Sequence, residues 1–422
     1  MKTKVAVVIA LGVLFSGSGL AAQEQQTEAA PVTLESLLAE AEQVHPAIKA
    51  EAQMIEAKRA RIPQVKSLPD PTVGVGWMGN IRPFSVQHLD PSSYRGVTAM
   101  QEFPYPGKLR LRGQMAEKDV DAEQWNLEAA RRQVRAEVKS AYDELAAVDQ
   151  ALAVTQRNKE LLEKLARIAE EKYKVGKGLQ QDVIRSQVEV SRILQTFTLL
   201  NQRRRTLVAK LNSLRLRPAD TPIGTLAAVE KRELTYSLDE LTEKGVANSP
   251  EIRRQEQLIE QSQYAVSLAR KDYLPDFRVG YDYQQRPDLP DMHGFNVGIN
   301  IPIFYRKKQR QEVREAAFSV ESGKQSREAI RTAVLFQVKE EYLQAKASEE
   351  LLTLYSKALV PQSALALESS MASYQTGALD FESLLGNFQS VLEYEVNYYQ
   401  ELANYQKALV NLEQVTGLDL VN

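Results

Sequence analysis

The stretch Thr33-Leu34-Glu35-Ser36-Leu37, followed by Val44-His45-Pro46-Ala47-Ile48, decides the fold, because the chain says it twice. It returns as Ser237-Leu238-Asp239-Glu240-Leu241, followed by Asn248-Ser249-Pro250-Glu251-Ile252. The copies lie 204 residues apart, and the offset holds through Ile55-Glu56 and Ile259-Glu260. Further along, Leu68-Pro69-Asp70 with Val73-Gly74 returns as Leu274-Pro275-Asp276 with Val279-Gly280, and Phe103-Pro104 as Ile301-Pro302. Tyr142 answers to Tyr342, and Tyr173-Lys174-Val175-Gly176 to Tyr374-Gln375-Thr376-Gly377. Ordered matches with so little drift mark a tandem duplication of a unit of about 200 residues, far above the roughly 20–50 of solenoid repeats. The expected units are 23–216 and 234–422, joined by a linker at 217–233 that contains Pro218 and Pro222.

Both units share one grammar. A short helix opens each, capped by Thr33 or Ser237, with Glu240 at the capping-box position of the second. His45-Pro46 and Ser249-Pro250 interrupt it, because the residue before proline resists helical dihedrals. A second helix should reach about Ser67 and about Tyr273. A very long helix comes after the strands. Residues 108–173 contain no proline, and their single glycine is Gly113. At about 1.5 Å per residue this predicts a helix of roughly 100 Å. Val134, Val138, Ala141, Leu145, Val148 and Leu152 step by alternating fours and threes, the heptad spacing of a helix packed along a partner. The Val175-Gly176-Lys177-Gly178 turn reverses the chain into an antiparallel helix, giving a hairpin over 108–214. The second hairpin should span 309–415, with Gly377 at its turn and Pro361 kinking its first arm.

Between the helices each unit carries two short strand candidates, at about 71–79 and 95–104, and at about 277–285 and 294–303. Phe277, Val279, Tyr281 and Tyr283 alternate with Arg278, Gly280, Asp282 and Gln284. Phe295, Val297, Ile299, Ile301 and Ile303 alternate with Asn296, Gly298, Asn300 and Pro302. Such period-two patterning sets one face in an apolar medium and the other against small or polar groups. The strand lengths approach the roughly 9–11 residues that cross a bilayer, and aromatic residues collect towards the ends. Transmembrane barrels begin at about eight strands, so four must be completed by further copies of the chain. Two copies or three would both satisfy the count.

Lys2 and Lys4 before an apolar run at 5–15, then small residues to Ala21-Ala22, predict a cleaved secretory signal at 1–22. No other segment is long and apolar enough for a transmembrane helix, so any crossing falls to the strands. The 53 basic and 55 acidic side chains nearly balance, which excludes a phosphate-binding surface for nucleic acid. Cysteine is absent, which excludes disulfides, thiolate metal sites and a lipid-modified N-terminal cysteine.

Together these features resemble the TolC-like outer-membrane factor family, the exit ducts of tripartite efflux pumps and of type I secretion systems. Tyr173-Lys174-Val175-Gly176-Lys177-Gly178-Leu179-Gln180-Gln181-Asp182-Val183 and Tyr374-Gln375-Thr376-Gly377-Ala378-Leu379-Asp380 are most similar to members paired with resistance–nodulation–division pumps, the heavy-metal type among them. The resemblance implies a mainly α protein with a small transmembrane β part. It implies a homotrimer in the outer membrane, with a twelve-strand barrel in lipid and a helical tube reaching into the periplasm. The partners implied are a periplasmic adaptor (membrane fusion) protein, an inner-membrane pump and outer-membrane lipid. Val175, Gly176, Gly178, Thr376 and Gly377 would form the tip where the adaptor docks. Asp182 and Tyr374 would belong to a polar gate at that tip. Family members often carry aspartates six or nine residues after the second tip glycine; here Ser383 and Gly386 stand there, leaving Asp380 or Glu382 to supply a carboxylate. A periplasmic coiled-coil adaptor or scaffold is the competing expectation, although such proteins usually present one hairpin between large β-domains.

Nothing in the chain reads as catalytic or as a cofactor site. There is no phosphate loop, nucleophile elbow or zinc-helix motif. Glu340-Glu341 and Glu349-Glu350 lie on charged helical faces. His45, His88 and His293, with Met78 and Met292, show no spacing that sets two metal ligands on one helical face.

Overall fold

The structure is a computed structural model that describes residues 33–80, 85–224, 226 and 231–420; the expected signal at 1–22 lies outside them. Fourteen elements follow in order. The first repeat contributes α1 (Leu34–Val44), α2 (Pro46–Lys66), β1 (Thr72–Met78), β2 (Tyr94–Phe103), α3 (Lys108–Lys174) and α4 (Gln180–Leu214). The second contributes α5 (Leu238–Asn248), α6 (Pro250–Lys271), β3 (Asp276–Gln285), β4 (Met292–Asn300), α7 (Gln309–Leu354), a π-turn at Tyr355–Leu359, α8 (Val360–Thr376) and α9 (Phe381–Thr416).

The repeated motif works as a double cap. Thr33 Oγ1 accepts from the Ser36 amide at 3.3 Å, and Ser237 with Glu240 closes a full capping box. His45 ends α1 and then caps α2 by accepting from the Ala47 amide at 3.3 Å; Ser249 does the same between α5 and α6. Pro46 and Pro250 sit in the first turn of the second helix, where the missing N–H has no intrahelical partner to lose. Each proline therefore re-aims the chain rather than merely breaking it.

The heptad seam of α3 is buried from Val134 to Val148, Val138 and Leu145 completely, and Leu152 is half-buried at its end. It packs with Leu37 and Ala41 of α1 and Leu207, Val208 and Leu211 of α4. The second repeat rebuilds this cluster from Leu241, Val334, Val338 and Ala345, closed by Leu409 and Leu412 of α9. Where Ala41 fits in the first copy, the second has Gly245, whose added Cβ would come within 3.0 Å of Val338 Cγ2. A third cluster joins the two hairpins at their far end, with Leu162, Leu165 and Ile193 against Tyr374, Phe381, Leu384 and Phe388.

The expected kink at Pro361 takes the form of the π-turn just before it. The Val360 amide bonds to Tyr355 O, five residues back, and this extra residue accommodates a proline ring that would collide with the carbonyl four residues earlier.

The four strands form one antiparallel sheet in the order β1-β2-β3-β4. The two repeats meet at its centre, where β2 pairs with β3 from Arg95↔Gln285 to Phe103↔Phe277. β4 stops at Asn300 rather than near 303, because Pro302 has no amide to give to a ladder. Among the described residues no helix is long and apolar enough to cross a membrane.

Candidate functional site

The residues singled out in the sequence fall mainly in two regions, the helical tip and the sheet. At the tip, both hairpins turn through the same backbone device. Lys177 N bonds to Lys172 O and Gly176 N to Tyr173 O; Ala378 N bonds to Ser373 O and Gly377 N to Tyr374 O. These nested bonds are Schellman motifs, which need a left-handed residue, and Gly176 (φ +74°) and Gly377 (φ +82°) supply it. A Cβ on either glycine would meet nothing within 4 Å. Their surroundings are open, so the backbone alone demands glycine there. Gly178 differs: a Cβ would crowd the Tyr173 amide at 3.0 Å. Val175 is 67% exposed and Leu179 59%, which leaves an apolar knuckle at the first turn, while Thr376 turns its hydroxyl back to Ser373 O.

The repeats part company at their matching tyrosines. Tyr173 is exposed, whereas Tyr374 is buried against the Phe381 ring at 5.4 Å. Lys172 crosses from the first hairpin, sets its ammonium 4.1 Å from the centre of the Tyr374 ring, and donates to Tyr374 O. The Tyr374 hydroxyl is buried and has no hydrogen-bond partner among the described residues. Burial first, and then the nearby negative charge of Asp182, push its pKa up. Asp182 and Tyr374 are thus neighbours that feel each other without being bonded.

The carboxylates divide by task. Asp380 caps α9, accepting from Ser383 N at 2.7 Å and from its hydroxyl at 3.2 Å, and these bonds hold its pKa down. Ser383 serves as the capped residue. Glu382 reaches Arg185 of the other hairpin at 2.6 Å. Deeper in, buried Glu189 accepts from Gln389 at 2.8 Å, a second link between the hairpins. Lys172, Arg185, Glu189 and Gln389 were not singled out in the sequence. Only the place of Lys172 beside the Tyr-x-x-Gly turn hinted at a role.

The sheet shows the opposite chemistry. Val75 (89% exposed), Phe295 (83%) and Val297 (76%) stand on an uncovered apolar face. Tyr281 and Phe295 pair across β3 and β4 with rings 5.1 Å apart. β1 and β4 are the outer strands, and among the described residues no further strand pairs with either. Such edges are untenable in hydrocarbon unless another strand closes them. The histidines are placed elsewhere in small contacts: His45 caps α2, His88 joins Asp288 at 2.5 Å, and His293 bonds Tyr281 Oη at 2.8 Å. Among the described residues no group of three histidine or carboxylate side chains could hold a metal.

A duplicated helical hairpin bundle bearing one four-stranded sheet with an exposed apolar face is the architecture of an outer-membrane channel subunit. The chain belongs to the outer membrane efflux protein family, which matches it over residues 37–215 and again over 241–418. Proteins of this family are outer-membrane channels that extend into the periplasm and work with adaptor and pump partners. The fold is shared with the outer-membrane channel OprN at 16% identity and a TM-score of 0.78, covering 91% of this chain and 89% of that one. The outer membrane protein VceC from Vibrio cholerae matches at 16% identity and 0.75, covering 91% and 96%. CusC, a protein that forms a transmembrane channel, matches at 13% identity and 0.76, covering 96% and 95%. No curated protein matches the sequence.

Proposed function

We propose that three copies close a twelve-strand barrel and a helical tube beneath it, forming a passive exit duct driven by an inner-membrane pump through a periplasmic adaptor. The single observation that carries this is the four-stranded sheet with an exposed apolar face and two open edges. The adaptor docks on the tip formed by Val175, Gly176, Gly178, Thr376 and Gly377, where the open space around both glycines leaves backbone accessible. The pump is of the resistance–nodulation–division type, the heavy-metal branch included, on the likeness of the two tip segments to members that serve such pumps. The gate is the Asp182–Tyr374–Lys172 contact with the Arg185–Glu382 link beside it; Asp380 contributes by holding the α9 terminus. Reconstitution in a planar bilayer tests the duct. Wild-type protein should show small unitary conductance, and Asp182→Ala with Tyr374→Phe should raise it. Unchanged conductance in the double variant counts against the gate, and no conductance in either protein counts against the duct.

A further inference from the structure

Where β4 hands over to α7, the chain reads Ile301-Pro302-Ile303-Phe304-Tyr305-Arg306-Lys307-Lys308-Gln309-Arg310. Ile301, Ile303 and Phe304 are 61%, 70% and 72% exposed, continuing the uncovered apolar face of the strand. Tyr305 leans on Tyr273 at 6.3 Å, and the Arg306 guanidinium lies 5.9 Å from the Tyr305 ring. Immediately beyond, Arg306, Lys307, Lys308 and Arg310 are exposed, and among the described residues none of them is in an ion pair. The matching start of α3 spends its own cation internally, since Lys108 is bound by Asp272 at 3.0 Å and Asp276 at 2.9 Å.

A cavity of about 370 Å³ opens at this junction between Asn300, Ile303, Phe304, Lys308 and Gln309 on one side and the paired Lys108, Asp272 and Asp276 on the other, with Glu312 at its wall. The carboxylates keep an anion outside it and favour a neutral donor within. Gln309 is only 8% exposed, and among the described residues its buried Oε1 has no hydrogen-bond partner. An unpartnered buried acceptor is destabilising, so a donor that fills this cavity is favoured. Aliphatic surface, an aromatic pair, exposed cations and a buried acceptor thus adjoin at one junction. These are the groups that the acyl chains, phosphate and headgroup hydroxyl of a phospholipid would meet.

We propose that the β4–α7 junction binds an anionic, hydroxyl-bearing phospholipid from the periplasmic leaflet, with its phosphate on Lys307, Lys308 and Arg310 and a headgroup hydroxyl donating to Gln309 Oε1. The acyl chains run along Ile301, Ile303 and Phe304. The assignment rests on the barrel proposed above, which sets this end of β4 at the membrane boundary.

Native mass spectrometry of the full-length protein, loaded with dioleoyl-phosphatidylglycerol or dioleoyl-phosphatidylcholine, tests both layers at once because the spectrum also reports assembly. Phosphatidylglycerol should be retained about tenfold more strongly. R306Q/K307Q/K308Q/R310Q should abolish the preference, and Q309L should weaken it. K324Q/R327Q, whose cations lie further along α7, should leave it intact. Should the quadruple variant fail to assemble, K308Q alone should still lower the preference about threefold. An assembled wild-type oligomer without preference overturns the site alone, as does a preference that survives the basic substitutions. Displacement of the lipid by inorganic phosphate would also overturn it, because the anion would then suffice. A wild-type chain that does not assemble overturns the barrel on which the site depends.

Discussion

Lys172 of the first repeat lies 4.1 Å from the centre of the Tyr374 ring in the second, so the tip is held by a contact that neither repeat makes within itself. A cation over an aromatic face at a partly desolvated site contributes about 0.5–2 kcal/mol. Lys172→Ala should therefore lower stability by about 1 kcal/mol and increase opening of the reconstituted channel. Tyr374→Phe alone should be nearly neutral in thermal unfolding, since its hydroxyl has no partner to lose. A large loss with Tyr374→Phe would show that the hydroxyl is engaged.

Gly176→Ala and Gly377→Ala should each cost about 1 kcal/mol, because an alanine Cβ is disfavoured at positive φ even with free space around it. Asparagine tolerates that region better, so Gly176→Asn should cost less than Gly176→Ala. Thermal unfolding of the three variants gives the order. If Gly377→Asn keeps stability but abolishes resistance conferred in an efflux-deficient host, the glycine is needed by the docking partner as well as by the turn.

The two faces of β4 should respond unequally to charge. Val297→Arg places a cation in the lipid and should cost about 2–4 kcal/mol of insertion free energy, whereas Asn296→Arg on the opposite face should be tolerated. Membrane integration of the two variants, followed by protease protection, distinguishes them.

A buried charge cluster sets the pH dependence. Asp143 is 2% exposed and, among the described residues, neither of its oxygens has a hydrogen-bond partner; burial raises its pKa to about 6 despite Arg232 and Lys139, with Glu413 adding a like charge. Lys139 itself is bound by Glu413 at 2.5 Å. Because the folded-state pKa exceeds the ordinary 3.8, the folded chain binds this proton more tightly than the unfolded one. Stability from Asp143 is therefore full below pH 3.8 and falls as pH rises to about 6. Asp143→Asn should raise stability at pH 8 by about 1–3 kcal/mol, with the gain fading towards pH 4. Melting temperature against pH, for both proteins, checks the sign.

Much of this was legible from residues alone, for identifiable reasons. The caps at Thr33 and Ser237, the prolines after them and the seam from Val134 to Leu152 act locally, within a few residues or one helical face. The pairing of β2 with β3 was not legible, because alternation in Val97 or Tyr281 says which face is apolar but not which strand lies beside it. The cap made by Asp380 was not legible either, because a carboxylate just before a helix can equally face solvent; here it accepts from Ser383 N. Lys172 escaped notice because a lysine on a charged helix carries no local sign of the ring it will cover. The π-turn escaped for a similar reason, since Pro361 announces a disturbance but not its form.

The central claim is that each chain supplies one third of a closed barrel, and cross-linking between its open edges tests it most directly. The chain has no cysteine, so Val73→Cys on β1 and Ile299→Cys on β4 introduce the only thiols. Within one sheet these outer strands are separated by about 14 Å, three strand spacings, beyond the reach of a short bifunctional reagent. Treatment of the membrane-inserted double variant should give linked species that end at three chains. A series ending at two chains, or a chain that stays single, would contradict the account.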